Sequence, residues 1–189
     1  MLDSRAQESD IAAMRRLLLL RHGKTERTGP GQLDRERELT KRGRGDAALI
    51  GAYMAKHGLV PELAVVSPAR RTQETWTLLS AAFTGKKQPR VSNDERVYNA
   101  SAEVLFDVIA EPSKARSLLI VGHNPSVQEV AVKLIASGDV EARERIAEKL
   151  PTSGLVVIDL PFDDWSKLHA QAGRLERFVS PRLITATTD

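Results

Sequence analysis

The sequence of 189 residues contains no cysteine, which excludes disulfide bonds, thiolate metal sites and a cysteine nucleophile. Aromatic residues are scarce. Two tryptophans, two tyrosines and four phenylalanines are too few to indicate a surface on which nucleic-acid bases stack. Apolar runs such as residues 17–20 are far shorter than the roughly 20 residues that span a bilayer. We therefore expect neither a nucleic-acid partner nor a membrane partner.

The charges nearly cancel, since 28 basic and 25 acidic residues leave a formal net charge of +3. Their distribution is uneven: residues 15–44 contain ten Lys or Arg and four Asp or Glu, which predicts a cationic surface there. This stretch is the only feature of the sequence that would support a nucleic-acid-binding function, and no recognition motif accompanies it.

The first residues of the chain are polar and include acidic side chains. They lack the basic start and apolar run of a signal peptide, so residues 1–14 are predicted to form a flexible or capping tail. The remaining residues, 15–189, have the length of one domain. We expect this domain to be cytoplasmic.

Short apolar segments that end in polar turns alternate with helical patterns along the chain. The three segments that end in polar turns have the form of buried strands, and the alternation predicts an α/β fold with a mostly parallel sheet covered by helices. The strands are predicted at residues 15–20, 63–66 and 117–121, with a further strand at Leu155–Leu160 and an edge strand at Gly173–Val179. The helices are predicted at residues 40–57, 69–83, 101–110 and 127–136, and residues 28–38 and 85–93 are predicted to be irregular.

The polar turns after the three strands carry the residues that can do chemistry. They are Arg21-His22-Gly23, residues 67–71 and Gly122-His123-Asn124. Because the carboxyl ends of parallel strands meet at one edge of a sheet, we expect these side chains to converge. Arginine presents a fork that suits two phosphoryl oxygens, and neutral imidazole is a competent nucleophile towards phosphorus. The second histidine, if protonated, would stabilise charge on the equatorial oxygens.

Two other kinds of site are poorly supported. No histidine lies three to five residues from another and no His-Glu-x-x-His occurs, so we expect no metal site. The glycine-rich loops that cradle nucleotide phosphates are also missing, and no cofactor is expected. The other histidines, His57 and His169, lie in polar surroundings and are predicted to be surface residues.

The order of these motifs resembles the histidine phosphatase superfamily, also called the phosphoglycerate mutase-like fold. The resemblance spans residues 16–135 and implies a single-domain three-layer sandwich. The compact length and residues 97–101 are similar to the SixA-like branch, whose members are described as phosphohistidine phosphatases. The motifs that carry the resemblance are Leu20-Arg21-His22-Gly23, Asp34-x-x-Arg37-x-Leu39-Thr40-x-Arg42-Gly43, Ser67-Pro68-Ala69-Arg70-Arg71-Thr72-Gln73-Glu74-Thr75 and Val121-Gly122-His123-Asn124-Pro125.

The resemblance implies that His22 is the phosphorylated nucleophile and that Arg21, Arg71 and His123 complete the phosphate pocket. The family spacing from Ser67 selects Arg71, and Arg70, about 100° away on the same helix, is predicted to be a surface charge.

Further candidates surround these four residues. Thr25 and Asn124 follow the two histidines closely and are candidate phosphate contacts. Ser67 and Pro68 are predicted to be the N-cap and first residue of the following helix.

A general acid is harder to identify. Glu95 lies in the stretch Asp94-Glu95-Arg96-Val97-Tyr98, which resembles the Glu-Arg-x-Tyr stretch that supplies a carboxylate in phosphoglycerate mutases. SixA-like members lack this acid, and a phosphoramidate tolerates the loss because its imidazole leaving group can depart already protonated. With an alkyl ester the loss would cost roughly 10²–10⁴ in rate. We therefore favour a solvated loop position for Glu95.

The function predicted from these observations is that of a metal-independent phosphatase acting through phospho-His22. Its substrate would be a phosphorylated small molecule or a phosphohistidine-bearing protein. One alternative is a non-catalytic module that binds phosphate or phosphoprotein on the same fold, although binding alone needs no nucleophile. A phosphomutase is disfavoured, because so short a chain leaves little room for insertions that retain an intermediate.

Overall fold

The structure is a computed structural model that describes residues 14–85, 88–111 and 114–186. The tail expected at residues 1–14 lies, except for Met14, outside these residues. Within the described ranges there are seven strands and six α-helices. The strands are β1 (Arg15–Arg21), β2 (Leu63–Val66), β3 (Arg90–Asn93), β4 (Ser117–Gly122), β5 (Ile135–Ser137), β6 (Leu155–Leu160) and β7 (Gly173–Val179). The helices are α1 (Lys41–Lys56), α2 (Arg70–Ser80), α3 (Ala102–Ala110), α4 (Ser126–Leu134), α5 (Val140–Glu148) and α6 (Pro181–Ala186).

All seven strands form one sheet in the order β3-β2-β4-β1-β6-β7-β5. The first four strands of that order are mutually parallel, β6 runs antiparallel to both β1 and β7, and β5 is parallel to β7. The predicted α/β class with a mostly parallel sheet is therefore confirmed. No helix among residues 14–85, 88–111 and 114–186 has the length and hydropathy of a membrane-crossing segment.

Two predictions at the sheet edges are wrong. The strand at Gly173–Val179 lies inside the sheet, because Ile135–Ser137 forms the edge strand β5, although residues 135 and 136 are predicted to end a helix. At the opposite edge, Arg90–Asn93 forms β3 within a stretch predicted to be irregular. All four residues of β3 are exposed, so no apolar pattern marks the strand, and its pairing with β2 alone defines it.

The sheet separates two apolar layers, as the alternation of side chains along a strand requires. Leu17 and Leu19 of β1 pack with residues of α3, α4 and α5, whereas Leu18 and Leu20 pack with residues of α1 and α2. All four leucines are fully buried, and burial of each contributes about 1.5–3 kcal/mol. The three-layer sandwich is therefore built around β1.

The carboxyl ends of the three central parallel strands are aligned. Arg21 at the end of β1 pairs with Gly122 at the end of β4, and Val66 at the end of β2 pairs with Val121. The turns that follow these strands therefore begin side by side at one edge of the sheet, which we call the active edge.

Close contact between α1 and α2 depends on Gly51. A Cβ atom at this position would lie 2.2 Å from the carbonyl oxygen of Leu79 in α2, so the two backbones could not keep their present distance. Gly45 of the same helix has open space around the corresponding position.

Alanine at these two glycines should have opposite effects on stability. We expect Gly51→Ala to lower the free energy of unfolding by about 1–3 kcal/mol through overpacking. Gly45→Ala should raise it by about 0.5–1 kcal/mol through better helix propensity. Urea unfolding followed by circular dichroism measures both. Equal stability of the two variants would contradict the close packing of α1 on α2.

Candidate active site

His22 lies in the turn after β1, at the active edge. Its backbone N–H donates to the carbonyl of Gly122 at 3.1 Å, which ties the turn to the end of β4. Its ring Nδ1 lies 2.7 Å from the carbonyl oxygen of Gly23. Because a carbonyl only accepts hydrogen bonds, Nδ1 carries the proton and Nε2 keeps a free lone pair.

The neighbouring glycine holds this turn against the helices. The Gly23 N–H donates to Thr75 Oγ1 of α2 at 3.0 Å. A Cβ atom at Gly23 would lie 2.8 Å from the carbonyl oxygen of Gly43 in α1. A larger residue would therefore push the His22 turn away from both helices.

His123 lies beside His22, with 5.2 Å between the ring centroids. The Nε–H of Arg71 donates to Nδ1 of His123 at 3.3 Å, so that nitrogen is unprotonated. The Nε2 of His123 therefore carries the proton and donates to Ser67 Oγ at 2.7 Å. His123 is thus a neutral ring whose two nitrogens are both engaged.

Ser67 has a different role from the one predicted. The N-cap of α2 is Ala69, and the helix begins at Arg70. The Ser67 hydroxyl is fully buried and instead holds the His123 ring. The expected N-cap position of Ser67 is therefore wrong, because the turn after β2 continues for two further residues before the helix begins.

Burial keeps both rings uncharged at neutral pH. The pKa of His22 falls from 6.5 to about 4, chiefly through burial, with the charges of Arg71 and Arg21 adding to the fall and the hydrogen bond to Gly23 opposing it. Burial lowers the pKa of His123 to about 3, assisted by the charges of His22 and Arg71. The arrangement therefore presents a neutral imidazole with a free Nε2 among arginine side chains.

The two adjacent arginines of α2 point in different directions. Arg71 is 5% exposed and faces His123, whereas Arg70 forms ion pairs with Glu38 and Glu74 on the surface. The placement is the one that the family spacing implied for Arg71 and Arg70.

Arg21 at the end of β1 and Asn124 in the turn after β4 are both anchored to the turn before β6. Nη1 of Arg21 donates to the carbonyl oxygen of Leu150 at 2.9 Å, and the Asn124 side-chain amide donates to the same oxygen at 3.2 Å. The Nε of Arg21 and the Oδ1 of Asn124 are buried and have no hydrogen-bond partner among the described residues. Arg21 therefore has a donor left for a ligand, whereas Asn124 has only an acceptor left, because its amide N–H groups donate to Gln128 and Leu150.

A carboxylate that the sequence analysis did not assign to the site reaches Arg71. The carbonyl of Asp34 accepts from Arg71 Nη1 at 2.7 Å and its Oδ2 accepts from Nη2 at 3.0 Å. Tyr98 donates to the same Oδ2 at 3.2 Å. The spacing Asp34-x-x-Arg37 is the one sequence signal that could have indicated this contact, since Arg37 also donates to Asp34 Oδ1 at 3.0 Å.

Asp34 is held in its ionised form. Partial burial would by itself raise the pKa of the Asp34 carboxyl, but the hydrogen bond from Arg37 and the charge and hydrogen bond of Arg71 outweigh it. The pKa therefore lies below its usual value of 3.8. Asp34 is an anion that faces the pocket at neutral pH and holds no proton to donate.

Glu95 and Thr25 lie towards the surface. The Glu95 side chain is 71% exposed and accepts from Arg35 at 2.7 Å, away from the two histidines. Thr25 accepts a hydrogen bond from Arg37. Neither residue contacts His22 or His123 in the described part of the chain.

The cationic stretch at residues 15–44 is partly compensated. Arg35 pairs with Glu95, Arg37 with Asp34, and Arg44 with Glu38 and Glu74. Of these partners, Glu74 and Glu95 lie outside the stretch and reduce the excess positive charge counted from the sequence, whereas Asp34 and Glu38 are already part of that count.

The site is made mainly of nitrogen-bearing side chains, and Nε2 of His22 is the nitrogen with a free lone pair. Among the described residues, no group of three or more His, Asp or Glu side chains is placed to hold a metal ion. The residues that converge are Arg21, His22, Arg71 and His123, with Asp34, Tyr98 and Asn124 around them.

Comparison with known proteins agrees with this geometry. Residues 17–98 match the family described as histidine phosphatase superfamily (branch 1). An uncharacterized protein of Mycobacterium leprae is 32% identical over 151 residues, which cover 79% of this chain and 89% of the relative.

The fold also matches solved structures. A putative phosphohistidine phosphatase SixA from Agrobacterium tumefaciens superposes with a TM-score of 0.75 and 29% identity, covering 88% of this chain and 98% of that one. A protein histidine phosphatase SixA complexed with tungstate shares the fold, with a TM-score of 0.66, 19% identity and coverage of 89% and 99%. This chain belongs to the histidine phosphatase superfamily and has a SixA-like structure.

Proposed function

We propose that the protein is a phosphatase that acts through a covalent phosphohistidine on His22, without a metal or cofactor. The observation that carries the proposal is the free Nε2 of a neutral His22 beside His123, Arg71 and Arg21. Nε2 attacks phosphorus, the N–P bond forms, and the bond to the leaving group breaks. Water then attacks phosphorus, the N–P bond breaks, and Nε2 regains its lone pair as inorganic phosphate leaves.

The positive residues bind and neutralise the phosphoryl group in this proposal. Arg21 and Arg71 clamp its oxygens from two sides, because guanidinium forks match phosphoryl geometry. A dianion beside His123 raises the pKa of that ring, since an opposite charge favours the protonated form. Protonated His123 then stabilises charge on the equatorial oxygens. Asn124 supplies a further contact only if its side-chain amide releases Gln128 or Leu150, whereas Thr25, which accepts from Arg37, still has its hydroxyl proton to donate.

The substrate we propose is a phosphohistidine on a protein. The carboxylate nearest the pocket, Asp34, is ionised, and Glu95 is turned towards Arg35. A phosphorylated imidazole needs no acid from the enzyme if it leaves already protonated, whereas an alkyl ester does. The SixA structures similar to this chain carry phosphohistidine phosphatase in their descriptions, which supports the same substrate class. The cytoplasmic location stays a prediction.

Replacing His22 by alanine tests the proposal directly. We expect His22→Ala to lower the turnover of p-nitrophenyl phosphate and of a phosphohistidine peptide by at least about 10³-fold, because no other group can form the covalent intermediate. Denaturation at alkaline pH, which preserves phosphohistidine, should trap phosphate on the wild-type protein and not on the variant.

His169→Ala is the matched control, since His169 is exposed, and it should retain full activity in buffer with and without EDTA. Full activity of His22→Ala would refute the nucleophile. Saturable binding of the phosphopeptide without turnover by the wild-type protein would favour the non-catalytic module.

The two pocket histidines should show opposite neutral tautomers. Their pKa values of about 4 and about 3 keep both rings neutral as the pH falls from 8 to 5. Imidazole ¹⁵N NMR should then find the proton on Nδ1 of His22 and on Nε2 of His123. Assignment comes from the variants His22→Gln and His123→Gln. Titration of the His22 signal near pH 6.5 would contradict a buried neutral nucleophile.

Asp34 should compete with the phosphoryl group for Arg71. We expect Asp34→Asn to tighten inhibition by inorganic phosphate or orthovanadate by roughly 3- to 10-fold, because it removes an anion that occupies the guanidinium. Asp163→Asn is the control, since Asp163 pairs with Lys167 on an exposed surface. Weaker inhibition in Asp34→Asn would instead show that the carboxylate positions Arg71 for the ligand.

A further inference from the structure

A second concave surface opens at the active edge, on the side of β1 opposite to β4. It is a groove of about 590 Å³ between the first turn of α1, the end of α5 and the start of α6. Four basic side chains line it: Arg42, Arg145, Lys149 and Arg182. We call it the basic groove.

The sheet order places this groove beside the histidine pocket. β6 follows β1 and β7 follows β6, and Val179 at the end of β7 pairs with Leu155 at the start of β6. Because β6 is antiparallel, the end of β7 lies at the same edge as the end of β1. Two strand spacings separate them, which is about 10 Å.

One turn of the chain forms the wall between the two sites. Pro151 and Thr152 line the groove. The next residue, Ser153, donates its backbone N–H to the carbonyls of Arg21 and His22 at 3.0 and 3.1 Å. The preceding Leu150 accepts from the Arg21 guanidinium. The turn at residues 150–153 therefore separates a ligand in the groove from His22.

The groove carries uncompensated positive charge. Lys149 and Arg182 are exposed and form no ion pair with the described residues. The other two cations are paired, Arg42 with Asp46 at 3.5 Å and Arg145 with Glu141 at 2.6 Å. The acidic side chains of the lining are Asp46 and Glu148, so the cations prevail. On the other side of the pocket, by contrast, acidic partners engage Arg35, Arg37 and Arg44.

We propose that the basic groove binds an acidic segment of the phosphorylated protein substrate, a proposal that rests on the phosphatase function above. The charge selects an anionic partner. Phe178, Pro181 and Leu183 supply apolar surface in the same groove, which a peptide chain can cover and an isolated anion cannot. An extended chain spans about 10 Å in about three residues, so the acidic residues begin about three positions from the phosphorylated side chain.

Matched substrates test this proposal. Each peptide contains one phosphohistidine and three glutamates that begin three residues away from it. One peptide has the glutamates on the N-terminal side and a second has them on the C-terminal side. The reference peptides have glutamine in place of glutamate. We expect the wild-type protein to prefer the better glutamate peptide by about fivefold in kcat/KM at low salt, as two exposed ion pairs allow. The ratio of kcat/KM for the glutamate peptide to that for the glutamine peptide should fall towards one in 0.5 M NaCl, because salt screens exposed charges.

Charge reversal in the groove should remove the preference. In the double variant Lys149→Glu/Arg182→Glu we expect equal kcat/KM for glutamate and glutamine peptides, with turnover of p-nitrophenyl phosphate unchanged. The control is Lys56→Glu/Arg90→Glu, which reverses two exposed charges at the amino ends of the parallel strands, away from the active edge. This variant should keep the preference for glutamate peptides.

The outcomes separate the two proposals. Turnover of p-nitrophenyl phosphate with no peptide preference, or a preference that survives the groove variant, overturns the docking proposal and leaves the phosphatase standing. No turnover of any substrate by the wild-type protein overturns the phosphatase itself. Groove-dependent binding to vesicles of anionic lipid, without a peptide preference, would assign the groove to a membrane surface and also overturn the docking of an acidic segment.

Discussion

Parallel pairing of β1 with β4 determines where both pocket histidines lie. Arg21 stands opposite Gly122 in this register, so His22 and His123 begin their turns side by side and their rings come within 5.2 Å. A slip of one residue would turn the four buried leucines of β1 to the wrong faces of the sheet. The buried leucines therefore hold the strand register, and the register in turn positions the two histidines of the site.

Burial gives the site its chemical character. Two adjacent histidines and two arginines would repel one another if the rings were protonated, and removal of the rings from water disfavours the charged form as well. The pKa values of both rings fall, so a nucleophilic nitrogen survives among cations. The cations in turn require an anion, and Asp34 supplies one to Arg71. Under the proposed function, phosphate binding to Arg71 is thus an exchange of one anion for another.

The distribution of charge around the active edge shows what a linear count of charges misses. The cationic stretch at residues 15–44 loses part of its excess charge to Glu74 and Glu95, and its own Asp34 and Glu38 engage arginines within it. The basic side chains of the basic groove come from α1, α6 and the C-terminal part of α5 with the residue after it, and these segments are far apart in the sequence. Ion pairing within the fold, rather than the number of basic residues in a segment, decides which surface can attract an acidic partner.

The sequence by itself determined the α/β class, the central strands and the strand ends and following segments that contain Arg21, His22, Arg71 and His123, because apolar strands followed by polar segments are local patterns. The tertiary structure decided the edge strands, which rest on backbone pairing without an apolar pattern. It also decided which nitrogen of each histidine ring carries the proton. In the same way it decided that Asp34, and not Glu95, is the carboxylate that contacts Arg71. These depend on contacts between residues distant in the chain: 37 positions separate Asp34 from Arg71 and 56 separate Ser67 from His123. Such contacts exist only after the strands have set the register.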